Sequence, residues 1–266
     1  MKTIGFIGAG NMGGALAAAA CHAGYGANVL LYDKDGEKAT ALAKTLSCQA
    51  TTLEAVAECD MLFLGVKPQF LAALANEVAP LLKTRGEAPV LVSMAAGVTL
   101  ARLNELFGDA PIIRIMPNMP VAAGAGMIVY CHNDKVCEAD VADFLAAMRE
   151  AGKLDAIPER MIDAASAVSG CGPAFVDLFI EALADGGVRC GLPRDKAMIY
   201  AEQTVLGAAK YALESGIHPA ALKDAVCSPG GSTIEGVRTL EAGSFRSLTI
   251  EAVTAAFEKT KALGKN

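Results

Sequence analysis

Apolar positions in the first half of the chain come in short runs, separated by segments of helical period, and this alternation predicts an α/β fold. Thr3–Gly8 reads as a strand and Asn11–Ala23 as an alanine-rich helix. Asn28–Asp33 and Gly36–Leu46 repeat that order, followed by a short strand near Cys48 and a small helix at Leu53–Glu58. Asp60–Val66 is apolar almost throughout, as a central strand buried on both faces requires. Lys67-Pro68 opens a helix, because proline suits the first helical position. Pro89–Ser93, Ile112–Ile115 and Gly126–Cys131 add strands, with an amphipathic helix at Val136–Ala151 and a last edge strand at Lys153–Ile157. The whole predicts a doubly wound sheet.

Beyond Pro158 the strand patterns vanish. Helices are expected at Arg160–Ser166, Gly172–Cys190, Pro193–Ser215, Pro219–Val226, Ile234–Glu241 and Thr249–Leu263. The change of pattern predicts two domains, an α/β domain at 1–158 and an all-helical one at 159–266. The helices at 172–190 and 193–215 are apolar nearly all round, a property of buried helices. A domain of roughly a hundred residues offers little interior. Their expected covering is therefore a second subunit.

The strongest local motif is Gly8-Ala9-Gly10-Asn11-Met12-Gly13, placed between the first strand and the first helix. This is the G-x-G-x-x-G of Rossmann-type dinucleotide binding: a tight turn, close approach to a pyrophosphate, and close packing of helix on strand. The helix N-terminus then receives the pyrophosphate on its unpaired N–H groups. Lys2 and the alanine-rich stretch to Ala20-Cys21 also suggest a secretory leader, but glycines and Asn11 interrupt the apolar core such leaders need. A second strand ending in Asp33 favours the nucleotide reading over a bare glycine turn.

Composition narrows the partners. The chain has 266 residues, 53% hydrophobic and 20% charged, with a net charge of -6. That suits a packed globular protein and gives no electrostatic footprint for nucleic acid or an anionic membrane face. No apolar run is read as approaching the roughly 20 residues of a membrane helix. Eight scattered cysteines without a C-x-x-C pair argue against zinc and disulfides, and predict buried free thiols in a reducing cytoplasm. None of His22, His132 and His218 has an acid placed to form a dyad.

Ile7, Gly8, Ala9, Gly10, Asn11, Met12 and Gly13 are the expected pyrophosphate loop. Asp33, ending the second strand, would accept hydrogen bonds from an adenosine ribose and favour NADH, although Lys34 beside it would suit the phosphate of NADPH. Its plainer role is to cap a turn or the next helix. Val66, Lys67 and Pro68, then Ser93 and Ala95, and the stiff proline-flanked loop with Asn118 follow later strands, at the ends where open α/β sheets bind ligands. In the helical half, Cys227–Gly236 is a small-residue turn launching a helix, which fits either a carboxylate site or an ordinary cap by Ser232 or Thr233.

Taken together, FIGAGNMGGA (6–15), FLGVKPQ (63–69), SMAAGV (93–98), RIMPNMP (114–120), SGCGPAF (169–175) and SPGGSTIEGVRTLE (228–241) make the chain resemble the pyrroline-5-carboxylate reductases over essentially its whole length. The resemblance implies reduction of the cyclic imine 1-pyrroline-5-carboxylate to L-proline by NADPH or NADH. It implies a substrate carboxylate and ring held by Ser228, Gly231, Ser232 and Thr233, with the Thr233 hydroxyl near the imine nitrogen as the catalytic contact. It also implies intertwined homodimers, often assembled into decamers, with the substrate between the nicotinamide and a partner's helical domain. Members preferring NADPH tend to carry serine, asparagine or arginine where this chain has Asp33. The alternatives are a 3-hydroxyacid dehydrogenase of related architecture, whose lysine would fall on Lys210 without its usual asparagine, and a non-catalytic NAD(P)-binding protein.

Overall fold

Eight strands form one sheet in the computed structural model, which describes residues 1–263: β1 (Ile4–Ile7), β2 (Val29–Tyr32), β3 (Gln49–Ala50), β4 (Met61–Leu64), β5 (Val90–Ser93), β6 (Ile112–Met116), β7 (Gly126–His132) and β8 (Gly152–Ala156). Their order is β3-β2-β1-β4-β5-β6-β7-β8, parallel throughout except for the antiparallel pair β6–β7. Ile4 aligns with Val29 on one side and Met61 on the other, so β1 lies at the centre of the nucleotide-binding half. The order in which strands are added reverses between β1 and β4, which makes their carboxyl ends the switch point where ligands bind.

Successive strand residues face opposite sides, as a pleated strand requires. Phe6, Phe63, Val92 and Ile113 enter one core with Leu16, Phe144 and Met148, while Ile7, Leu62, Leu91 and Ile112 enter the other with Val56, Leu74 and Leu103. Phe6 stacks on Phe63 at 4.5 Å between ring centroids. The first core is covered by α1 (Asn11–Ala20) and α6 (Glu138–Met148). The second is covered by α3 (Leu53–Ala57), α4 (Leu71–Lys83) and α5 (Leu100–Phe107). The remaining helix of this half, α2 (Gly36–Leu46), is capped by Asp35, whose carboxylate accepts from the Lys38 N–H. The doubly wound architecture expected from the alternation is what folds.

Local differences have identifiable causes. The first helix gives way after Ala20 to a wider π-type turn at Cys21–Tyr25, because Gly24 adopts a left-handed φ of 97°. Helix α5 is absent from the pattern reading. Its Thr99 hydroxyl accepts from the Arg102 N–H to cap it, and only Leu103 and Phe107 are buried.

The described residues after β8 form helices and connecting turns but no strand, with α-helices at α7 (Ile162–Ala165), α8 (Gly172–Arg189), α9 (Arg194–Ser215), α10 (Pro219–Ala225), α11 (Ser232–Ala242) and α12 (Phe245–Leu263). Two compact units emerge from packing, Met1–Cys171 joined by the described residues from Ala256 on, and Gly172–Ala255. The second unit has a small core of Ala184, Ala197 and Ala201 packed with Ile180, Val188 and Met198. Leu178 is 66% exposed and Leu213 78%, with Ile199, Leu206 and Tyr211 also on the surface. Within a single chain, then, the apolar faces of α8 and α9 are uncovered.

One expectation about apolar runs is corrected. The helical run Glu159–Arg189, 31 residues, contains an 18-residue stretch of mean hydropathy 1.4 and so is long and apolar enough by length and composition to cross a membrane. The cause is the charge-free stretch between Asp163 and Asp177, where alanine, glycine, valine and serine replace the bulky residues that usually advertise a span. The expectation of buried thiols is corrected as well. Cys59 and Cys131 are buried, but Cys137 and Cys190 are exposed and the other four lie in between, because most occupy helix ends or turns.

Candidate active site

Gly8 closes the turn out of β1 with φ 105° and donates its N–H to the Tyr32 carbonyl at 2.7 Å. A side chain there would strike the Gly65 carbonyl, and a side chain at Gly13 would collide with the Gly8 carbonyl. Gly10 differs, since a Cβ on it would meet nothing within 4 Å. Gly10 is also the N-cap of α1, with no side chain bonded to the orphan N–H groups of the first turn. Two glycines are thus required by the protein's own backbone, and the third leaves an open, donor-lined cradle of the kind a pyrophosphate fills. The loop fits a dinucleotide.

Asp33 joins this loop directly. Its Oδ2 accepts the Ala9 N–H at 2.7 Å, and its Oδ1 accepts the Asp35 N–H at 3.0 Å. The carboxylate therefore caps its own turn and fixes the glycine loop, whereas the cap of α2 falls to Asp35. Next to it, Lys34 Nζ lies 3.1 Å from Glu77 Oε1. Together they border a cavity of about 590 Å³ at the carboxyl ends of β2 and β3.

Parallel strand order brings the other expected loops to the same edge of the sheet. Gly65 backs the glycine turn, its N–H donating to the Ile7 carbonyl at 2.7 Å, and leads into half-buried Val66 and exposed Lys67 and Pro68. At the end of β5, Ser93 is fully buried and its hydroxyl accepts from the Ala95 N–H at 3.4 Å. Asn118 follows β6, but both ends of its amide are engaged within the protein: Nδ2 donates to the Ser169 carbonyl at 2.9 Å and Oδ1 accepts the Met127 N–H at 2.8 Å. It is 8% exposed, a brace for the loop.

Beside that brace lies a network the sequence reading missed. Arg114 is 4% exposed, although it lies in an otherwise apolar strand. Its guanidinium donates to Glu159 at 2.9 Å and reaches Asp163 at 3.4 Å. The same Glu159 oxygen accepts the Leu100 N–H at 2.7 Å, at the start of α5. A lone arginine within the run Ile112–Met116 is the signal that announces such a partner.

In the helical unit, the Gly231 N–H donates to the Ser228 carbonyl at 3.0 Å across a turn that places Gly230 at φ 68°. Gly231 is the N-cap of α11, and no side chain caps that helix. The plain alternative, capping by Ser232 or Thr233, is not what forms. Ser228, Ser232 and Thr233 are exposed, leaving hydroxyls and first-turn N–H groups together at a helix N-terminus.

Other candidates for acid–base chemistry are engaged elsewhere. The His218 ring caps α10, accepting the Ala220 N–H at 3.2 Å, and His132 contacts the Asn133 carbonyl at 2.9 Å. Lys210 lies on an exposed helix face 3.7 Å from Glu214. Burial pushes the thiols of Cys59 and Cys131 up to about 11, so neither is a ready nucleophile. Among the described residues, no group of three or more His, Cys, Asp or Glu is placed to hold a metal.

A glycine loop at the switch point of a doubly wound sheet, followed by a helical second half, defines an oxidoreductase of the Rossmann class. Residues 3–97 match a family model described as NADP oxidoreductase coenzyme F420-dependent, and residues 159–263 match one described as pyrroline-5-carboxylate reductase dimerisation. The pyrroline-5-carboxylate reductase of Escherichia coli K12 is 42% identical over 270 residues, covering 100% of this chain and 99% of that one. A solved pyrroline-5-carboxylate reductase from Coxiella burnetii superposes with a TM-score of 0.90 at 31% identity, covering 98% of each chain. The Plasmodium falciparum pyrroline carboxylate reductase, solved with NADP bound, gives 0.87 at 34% identity over 99% of this chain and 98% of its own. The chain belongs to the pyrroline-5-carboxylate reductase family. Its second half is accordingly a dimerisation domain, which accounts for the uncovered apolar faces of α8 and α9 and for the long apolar run at 159–189.

Proposed function

We propose that this chain reduces 1-pyrroline-5-carboxylate to L-proline, with NADPH or NADH as the reductant. The observation that carries the reading is the full-length kinship to the Escherichia coli reductase. Two sites of suitable chemistry support it, the open cradle at Gly10 and the uncapped N-terminus of α11.

The nicotinamide, when bound, supplies the hydride. The chain's own work is binding and orientation. Ile7–Gly13 would hold the pyrophosphate on the N–H groups of α1, with Val66, Lys67, Pro68, Ser93 and Ala95 bordering the nicotinamide end. Asn118 would stiffen the loop beside them. Ser228, Gly231, Ser232 and Thr233 would take the substrate carboxylate on the N-terminus of α11, where the helix dipole favours an anion. The Thr233 hydroxyl would face the imine nitrogen.

A cyclic imine is protonated far more readily than a ketone, so its carbon accepts hydride with little help from an acid. Orientation then supplies most of the acceleration, up to roughly 7–11 kcal/mol for well-placed reactants. A site of hydroxyls and N–H groups without a histidine dyad suits this reaction and would serve a 3-hydroxyacid dehydrogenase badly.

The chain acts as a homo-oligomer in this reading: a homodimer in which each helical domain completes its partner's site, with a decamer as the larger assembly. The expected setting is the cytoplasm, with the apolar run at 159–189 turned to protein rather than lipid and with no nucleic-acid partner. The test is oxidation of NADH or NADPH on adding pyrroline-5-carboxylate to folded protein, with size measured by light scattering. Silence with both cofactors would exclude the reaction.

A further inference from the structure

We propose that the adenosine end of the cofactor site is built against a 2′-phosphate, so that this chain takes NADH in preference to NADPH. The inference rests on the nucleotide-binding part of the reading above and names the ligand that this part selects.

The cavity at the ends of β2 and β3 is bordered by three carboxylates, those of Asp33, Glu54 and Glu77, and Lys34 is its sole cation among the described residues. Lys34 is the one lining residue whose charge could offset a phosphate, and its Nζ is already paired with Glu77 at 3.1 Å. Turning it toward a phosphate would break that pair and leave the phosphate facing an excess of negative charge.

Asp33 cannot withdraw. Its two oxygens are held by the Ala9 and Asp35 N–H groups, so moving the carboxylate aside would unpair the Ala9 N–H inside the pyrophosphate loop. A fixed carboxylate can accept hydrogen bonds from ribose hydroxyls, which are donors. A phosphate at pH 7 offers charge of the same sign and few protons. The preference thus has two parts, a carboxylate locked by the loop it serves and a lysine paired with Glu77 of α4.

The test is equilibrium titration of the full-length protein with NADH and with NADPH, followed by nucleotide fluorescence without pyrroline-5-carboxylate. The wild type is expected to bind NADH about tenfold or more tightly than NADPH, as suits like charges a few ångström apart near a protein surface. Glu77→Gln, which frees Lys34 without touching the glycine loop, is expected to tighten NADPH about threefold and leave NADH within about twofold. The gap should narrow with added salt, because exposed charges are screened. Equal or tighter NADPH binding by the wild type, or a Glu77→Gln variant that shifts both nucleotides alike, overturns the inference. Since these titrations involve no substrate, a failed turnover assay would remove the proposed reaction and leave the measured ratio standing.

Discussion

Alanine in place of Gly13 and alanine in place of Gly10 should damage the protein in opposite ways. At Gly13 a Cβ would meet the Gly8 carbonyl well inside the 3.0 Å that real Cβ atoms keep, and the obstacle is backbone rather than a movable side chain. Helix α1 must then shift on β1, an overpacking strain of about 1–3 kcal/mol. For a chain of this size that is a fall in Tm of roughly 2–12 °C. At Gly10 the added methyl meets nothing within 4 Å, so the fold has no steric objection. Alanine is a somewhat poorer N-cap than glycine, but the restricted unfolded chain offsets this by about 0.4–1 kcal/mol. Gly10→Ala should therefore melt within about 2 °C of wild type while losing at least about tenfold in NADH affinity, because its methyl occupies the cradle. Differential scanning fluorimetry and fluorescence titration measure the two quantities separately. If Gly10→Ala binds NADH normally, the cradle is not where the pyrophosphate lies. If Gly13→Ala keeps its Tm, the close approach of helix to strand has been misjudged.

Three further outcomes follow from named contacts. Arg114→Ala leaves Glu159 and Asp163 without their shared cation, and should cost about 3 kcal/mol in urea unfolding, the low end for breaking a buried pair because both carboxylates are about a third exposed; a loss below 1 kcal/mol would show the network to be idle. Burial alone would raise the carboxyl of Asp60, but the backbone N–H and hydroxyl of Thr3, with Lys2 and Arg85 nearby, bring it below its ordinary value of 3.8. Such a depressed group stabilises the fold fully above about pH 4 and loses that contribution as pH falls through the folded value. Thr3→Val should thus cost about 1 kcal/mol at pH 7 and progressively less below pH 4, and a deficit constant from pH 7 to 3 would contradict the assignment. Thr233→Ala should slow turnover by about tenfold or more with NADH affinity within twofold, as expected for a group that touches only the reacting ring. Loss of nucleotide binding instead would put the loop in the wrong site.

What could be read from the residues alone follows physical reach. β1, α1, β2 and α2 were legible because turn glycines, an N-cap acid and a period-2 core all act within about a dozen residues. Helix α5 escaped, since it is short and buries only Leu103 and Phe107, although Thr99 and Gly108 mark its ends. The antiparallel turn from β6 to β7 depends on the 3-10 segment Met119–Ala123, which leaves no hydrophobic period of its own. Asn118 reads as a ligand contact in sequence because it lies in a stiff, proline-flanked loop at the ligand-binding end of a strand, and its partners within the fold are Met127 and Ser169, the latter 51 residues away. Asp33 was placed correctly at the strand end, but only folding reveals that it grips Ala9. Long-range hydrogen bonds are what a local pattern cannot carry.

The alanine core of the helical unit has a consequence for how the protein comes into being. Ala184, Ala197 and Ala201 with three partly buried neighbours exclude too little water to hold α8 to α11 against the entropy of an open chain. That half must gain its stability from a second copy, so folding and association become one equilibrium. Its melting temperature should then rise with protein concentration. Newly made chains would wait, half ordered, until they meet, and synthesis rate itself would set how much of the reductase reaches its working shape.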